Sequence, residues 1–301
     1  MRAGGVEPLI RAAADAGAPG IHLGGGMVLD DFRIAVPAVM RAGLVAPSMT
    51  LPLAERALGQ HKRLPALAAA DPEERGAAIA LATAGLEAGV AAAVRWGLLD
   101  FGAVALPASR REVAAFFGRR ELGDGEAGAS ELALALASRK AFAERLLDAC
   151  RWSLERLCRL AEARSVTLVV PVGGSPWEVP SAREALGLME GFRGAPLGLA
   201  WAPGRLTAAR ALGLHLPEDR VAAVAAAAGA ALETDAVGLE PGYLPGLGER
   251  DEALPARPTL PRDAPVIVGG FPDSTVAEIS RAIAAVTARY ESAAPPSCPS
   301  P

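Results

Sequence analysis

Seven short runs of β-type residues, each bounded within a few residues by glycine or proline, alternate along this chain with longer stretches of Ala, Leu, Arg and Glu at helical spacing. That alternation constrains the fold more than any other feature. A strand followed by a helix returns the chain to start the next strand in the same direction, which builds a parallel sheet covered by helices. The strands are expected at residues 20–24, 44–49, 102–106, 166–170, 197–201, 236–239 and 266–268. The helices are expected at about 30–41, 72–96, 131–163, 180–191, 217–231 and 274–290. Asp71 before Pro72, with Glu74 three positions on, combines an N-cap acceptor, a first-turn proline and a capping-box carboxylate. Seven strands are one short of a closed (β/α)8 barrel. The chain also opens in a helix-like segment, Val6 to Ala16, ahead of the strand GIHLG, so the first strand of such a barrel is absent or truncated. Either the start has been placed downstream of it, or something other than a standard strand closes the barrel.

The 301 residues, 51% hydrophobic and 21% charged, suffice for one α/β barrel, a fold that commonly takes about 250 residues. A single domain over 1–291 is expected, with an excursion at 119–130 and a disordered tail, SAAPPSCPSP, over 292–301. The net charge of -4 and the scattering of basic residues argue against a nucleic acid partner. Lysine occurs only at Lys62 and Lys140, a bias that fits a GC-rich genome. Cys150, Cys158 and Cys298 are too few for a disulfide framework; Cys150 and Cys158 share a helix face and read as buried thiols. Every alanine-rich run is broken by a charge, Gly or Pro before about 18 residues, and no apolar leader segment stands at the N-terminus. No membrane association and a cytoplasmic location are therefore expected.

Three stretches carry a resemblance. DPEERGAAIA through AAAVRWG, at 71–97, is one; LERLCRLAEARSVTLVVP, ending a long helix, is the second; YLPGLGERD at 243–251 is the third. In order and spacing they resemble the sugar phosphate isomerase/epimerase family, the xylose-isomerase-like TIM barrels, over nearly the whole chain. The resemblance implies a TIM (β/α)8 barrel with a divalent metal at its C-terminal mouth, held by a glutamate, an aspartate, a histidine and a second glutamate. Such a metal polarises a substrate hydroxyl and carbonyl. Against this pattern the four ligand places fall at Pro171, Ala202, Gly238 and Gly269, and none of these side chains binds a metal. The stretch PLGLAWAPGRL at 196–206 shows the departure best, with Ala202 and Arg205 where the family has its aspartate and histidine.

Other chemistry is thin. Glu178 and Glu240 are the carboxylates near the expected mouth, and they and His22 are the weak catalytic candidates; His22 reads equally well as a hydrogen-bonded residue of the barrel wall. Trp177, Trp201, Arg205 and Tyr243 fall at or just beyond strand C-termini and are the ligand-binding candidates. Rings stack on sugars, and a guanidinium clamps a carboxylate or phosphate. The plainer reading has Trp201 filling the core and Trp177 pinning a loop. The GGG turn at 24–26 lacks the lysine and spacing of a phosphate loop, and no GxSxG, HExxH or CxxC motif occurs.

Two functions are expected to compete. One is a barrel with a degenerate metal site, a pseudoenzyme that binds a small polar molecule such as a sugar or sugar phosphate, or a protein partner, with no cofactor. The other is an active isomerase or epimerase using metal-independent acid/base residues. A divalent metal enters only if the degenerate-site reading is wrong. An assembly role through apolar helix faces such as 221–232 is a third.

Overall fold

The structure is a computed structural model that describes residues 6–24, 27–53, 65–102, 129–174, 178–211, 216–237, 240–243, 245–246, 248, 250, 254–255, 257–269 and 274–291. The elements run α1 (Glu7–Asp15), β1 (Gly20–Leu23), α2 (Leu29–Arg41), β2 (Val45–Leu51), α3 (Pro72–Ala91), β3 (Trp96–Leu99), α4 (Ala129–Arg164), β4 (Thr167–Pro171) and α5 (Ala182–Gly191). They continue with β5 (Leu197–Trp201), α6 (Pro203–Ala211), α7 (Glu218–Ala226), β6 (Ala228–Glu233), β7 (Asp235–Val237), β8 (Glu240–Tyr243), β9 (Val266–Val268) and α8 (Val276–Glu291). Seven strands pair in the order β1-β2-β3-β4-β5-β6-β9, all parallel, and β7 and β8 form a separate antiparallel hairpin. This is a nearly closed barrel of alternating strands and helices.

Strand register sorts the side chains into two layers. Trp96, Leu98, Val169, Ala200 and Ala230 pack together inside the barrel, with Ala264 and Ile267 against them. The alternate positions, Leu99, Leu168, Val170, Leu199 and Trp201 among them, join the large cluster between sheet and helices. Strands β3 to β6 are buried on both faces, as a helix-covered parallel sheet requires. At the seam, β1 and β9 are not hydrogen-bonded to each other among the described residues. The outer helices bridge it: α1 packs on α8, and Ser280 Oγ donates to the Ala16 carbonyl at 3.2 Å.

Two expected elements are corrected. The third strand is Trp96–Leu99 rather than 102–106, and most of that expected segment lies outside the described residues. Residues 228–231, expected to end a helix, open strand β6, while 236–237 of the strand expected at 236–239 fall on the hairpin and 238–239 lie outside the described residues. Alanine's helix propensity suggested a helix through VAAVAAAAGAAL, and tertiary context overrides it. Strand β6 pairs with β5 on one side and β9 on the other, and a Cβ on Gly198 would come within 2.7 Å of the Gly229 Cα, so β5 and β6 approach closely at these two glycines. Helix α6 was not expected. Cys150 and Cys158 are free and buried on α4, and burial raises the Cys158 thiol to about 11. The expected excursion at 119–130 lies, but for its last two residues at the start of α4, outside the described residues, and the tail at 292–301 wholly so. No helix is long and apolar enough to cross a membrane among the described residues.

Candidate functional site at the barrel mouth

The C-terminal ends of the strands form the mouth, where barrels of this class carry their sites. Pro171 closes β4, Ala202 follows β5 and is fully buried, and Gly269 follows β9, its N–H donating to the Glu233 carbonyl at 3.2 Å. A methyl on Gly269 would meet Thr234 Cγ2 at 2.9 Å, so the end of β9 lies close against the end of β6. Pro, Ala and Gly side chains offer a cation no donor. Among the described residues no three His, Cys, Asp or Glu side chains stand close enough to hold a metal ion. Gly238 lies outside the described residues.

Glu178 and Arg205, singled out separately in the sequence, are brought together here. Arg205 Nη1 stands 3.0 Å from Glu178 Oε1, with both side chains about 30% exposed. Glu178 Oε2 accepts from the Gly174 N–H at 2.6 Å. The loop from β4 to α5 is folded tightly enough to present this carboxylate: the Gly173 N–H donates to the Pro180 carbonyl, and Gly173 bridges to Ser181. A side chain on Gly174 would collide with the Arg205 backbone at 2.8 Å, so the loop after β4 rests directly on the start of α6. Behind it, Ser181 and Glu184 form a capping box on α5. Arg139 of α4 binds both Glu184 carboxylate oxygens, at 2.6 and 2.5 Å, and the Glu178 carbonyl at 3.2 Å. Burial opposes the charge on Glu184, but the Arg139 and Ser181 hydrogen bonds outweigh it and hold the carboxyl below its usual range.

His22 lies in the barrel wall. Its register partner Ser48 pairs in turn with Trp96, so all three face the barrel interior. Nδ1 stands 2.9 Å from Ser48 Oγ and Nε2 2.8 Å from Thr50 Oγ1. Burial lowers the imidazole from 6.5 to about 4, so it is neutral near pH 7. Both ring nitrogens are occupied by hydroxyls of the neighbouring strand, an arrangement that fixes the ring rather than poising it for proton transfer.

Trp201 is fully buried on the helix-facing side of β5, and among the described residues its indole N–H has no hydrogen-bond partner. Its ring is therefore away from the mouth surface. Glu240 and Tyr243 bound β8 in the hairpin after β6. Trp177 lies outside the described residues.

One cluster was not anticipated. Glu233, fully buried at the end of β6, accepts from Arg250 Nη1 at 2.9 Å, from Arg289 Nη1 and from the Tyr290 hydroxyl at 2.8 Å. It pairs in register with Val268 while its neighbour Leu232 pairs with the inward Ile267, so Glu233 faces outward towards α8. Burial and the adjacent Glu233 carboxylate push the Tyr290 phenol above its usual range. Beside it, Asp235 Oδ2 accepts from the Gly246 N–H at 2.6 Å. The cluster ties the segment after the hairpin and the last helix to β6. A glutamate directly after the apolar run VAAVAAAAGAAL was the signal in the sequence, because a buried carboxylate requires partners.

With this geometry in view, the comparisons define the class of fold. No protein-family model and no curated protein matches the chain in sequence. Among solved structures, D-allulose 3-epimerase from Methylomonas sp. superposes with a TM-score of 0.62 at 14% identity, covering 94% of this chain and 91% of that one. L-ribulose 3-epimerase gives 0.61 at 13% identity, covering 98% and 94%. A putative xylose isomerase from Rhodospirillum rubrum gives 0.61 at 16% identity, covering 96% and 94%. The chain thus has the xylose-isomerase-like TIM-barrel fold, which agrees with the resemblance seen in the sequence. At these identities the likeness speaks for the fold alone.

Proposed function

We propose that this protein is a xylose-isomerase-like barrel with a degenerate metal site, which binds a small polar molecule at its mouth without turning it over. The observation that carries the reading is the ion pair between Glu178 and Arg205. The Glu178 carboxylate on the loop after β4 is matched by the Arg205 guanidinium of α6, and the strand ends at Pro171, Ala202 and Gly269 carry no side-chain donor. A guanidinium cannot accept a ligand lone pair or lower the pKa of a bound water as a metal does, but it hydrogen-bonds hydroxyl, carboxylate or phosphate oxygens. The ligand class is a sugar or sugar phosphate. Its support is that the structurally similar proteins include one in complex with D-allulose and one in the presence of D-fructose.

The test is elemental analysis of purified protein, thermal shifts with Mn, Mg, Zn or Co, and ligand-induced shifts with D-allulose, D-fructose and their phosphates. The reading expects no stoichiometric metal, no shift with metals and a saturable shift with at least one sugar. Stoichiometric metal, or metal-dependent epimerisation of a ketose, would sink it. Metal-free turnover abolished by Glu178→Gln would instead establish the acid/base isomerase.

A further inference from the structure

Arg139 stands on α4, the helix before β4, and its side chain reaches the loop that follows β4. The guanidinium holds two partners at once. Nη1 donates to Glu184 Oε1 at 2.6 Å and Nη2 to Glu184 Oε2 at 2.5 Å, while Nη2 also donates to the Glu178 carbonyl at 3.2 Å. This contact is mostly out of water, with 12% of the Arg139 and 15% of the Glu184 side chain exposed. Glu184 in turn accepts from the Ser181 N–H at 2.8 Å, where α5 begins. One side chain from a helix 39 residues away in sequence thus grips the backbone of Glu178 and the start of the helix behind it.

The gripped carbonyl belongs to the residue whose carboxylate meets Arg205 at 3.0 Å and the Gly174 N–H at 2.6 Å. The loop doubles back closely at this point: the Gly173 N–H donates to the Pro180 carbonyl at 2.9 Å, and a Cβ on Gly173 would stand 3.0 Å from the Glu178 Cβ. Fixing the Glu178 carbonyl therefore fixes the direction in which its side chain leaves the backbone. The Glu178–Arg205 pair, with both side chains about 30% exposed, is screened by water and holds a loop only weakly by itself. The desolvated, bidentate contact behind it is the stronger anchor. We infer that Arg139 is a positioning residue of the barrel mouth, which holds the Glu178 backbone so that its carboxylate is presented to Arg205 and to a bound ligand. The ligand part of this inference rests on the function proposed above; the presentation to Arg205 does not. Lysine cannot take over the role, because its three donors radiate from one nitrogen, whereas the planar fork spans the Glu184 carboxylate and the Glu178 carbonyl together.

Amide hydrogen exchange of the full chain, read residue by residue by NMR, tests this without a ligand. Arg139→Lys should speed exchange at Gly174 about tenfold or more, while the strand amides of Leu168 and Leu199 keep their protection. The Gly174 amide proton, which donates to a carboxylate, should also move upfield towards the position it takes in Glu178→Gln. Arg139→Met combined with Glu184→Gln removes both buried charges, so that no lone carboxylate is left to unfold the protein, and should loosen Gly174 in the same way. In the ligand arm, titration with D-allulose and D-fructose should show binding weakened about fivefold or more in Arg139→Lys, because a disordered loop must be ordered on binding. Gly174 exchange and shift unchanged in both variants, or acceleration shared equally by Leu168 and Leu199, would overturn the proposal. So would equal affinity of the wild type and Arg139→Lys for a sugar that both bind. A wild type that binds neither sugar, with Gly174 loosened on substitution, would sink the ligand reading and uphold the positioning of Glu178.

Discussion

Arg205 and Glu178 join the first turn of α6, which follows β5, to the loop that leaves β4, with their charged atoms 3.0 Å apart and the Gly174 N–H donating to the other carboxylate oxygen. Because both side chains keep about 30% of their exposure, water screens the pair. Glu178→Gln should cost only about 1 kcal/mol of stability, measured by urea denaturation. The same substitution should change the sugar-induced thermal shift while leaving the response to added metal absent. A loss above about 3 kcal/mol would mean that the pair is more deeply desolvated than its exposure indicates.

The Glu233 cluster has a different balance. Its carboxylate is fully buried and accepts from two guanidinium groups and a phenol, so Glu233→Ala leaves Arg250, Arg289 and Tyr290 facing a cavity. The expected cost is about 3 kcal/mol or more. Glu233→Gln should cost less, because the amide oxygen still accepts. Faster amide exchange in residues 245–250 and in the last turn of α8 would show that this cluster ties both segments to β6.

His22 predicts a pH dependence. Its folded value near 4 lies below the unfolded 6.5, so between those values the unfolded chain binds the proton and the folded one does not. This contribution to stability is complete above about pH 6.5 and is lost as pH falls towards 4. Proton NMR of the imidazole should give a midpoint near 4, and His22→Gln should flatten the stability profile in that window. A midpoint near 6.5 would contradict the buried, doubly hydrogen-bonded ring.

Close strand approach supplies a packing test. Gly198→Ala puts a methyl 2.7 Å from the Gly229 Cα and 3.0 Å from its nitrogen, and both are backbone atoms unable to rotate aside. About 2 kcal/mol or more of destabilisation is expected by chemical denaturation. Gly187→Ala, where a methyl meets nothing within 4 Å on an α-helix, should be neutral or slightly stabilising.

Much of the barrel is legible locally. Alternating β-type and helical periods report which face of each element is apolar, and Asp71 marks a helix start because a side-chain oxygen satisfies exposed N–H groups in any context. Tertiary structure decided the rest. Residues 228–233 became a strand because β5 and β9 pair with their backbone on either side, against their own helical preference. Arg205 met Glu178, and Glu233 met Arg250, Arg289 and Tyr290, because strand register and loop packing set which distant charges face each other. Periodicity and caps depend on neighbours within a turn of chain, whereas the partner of a buried charge depends on how the whole barrel is wound.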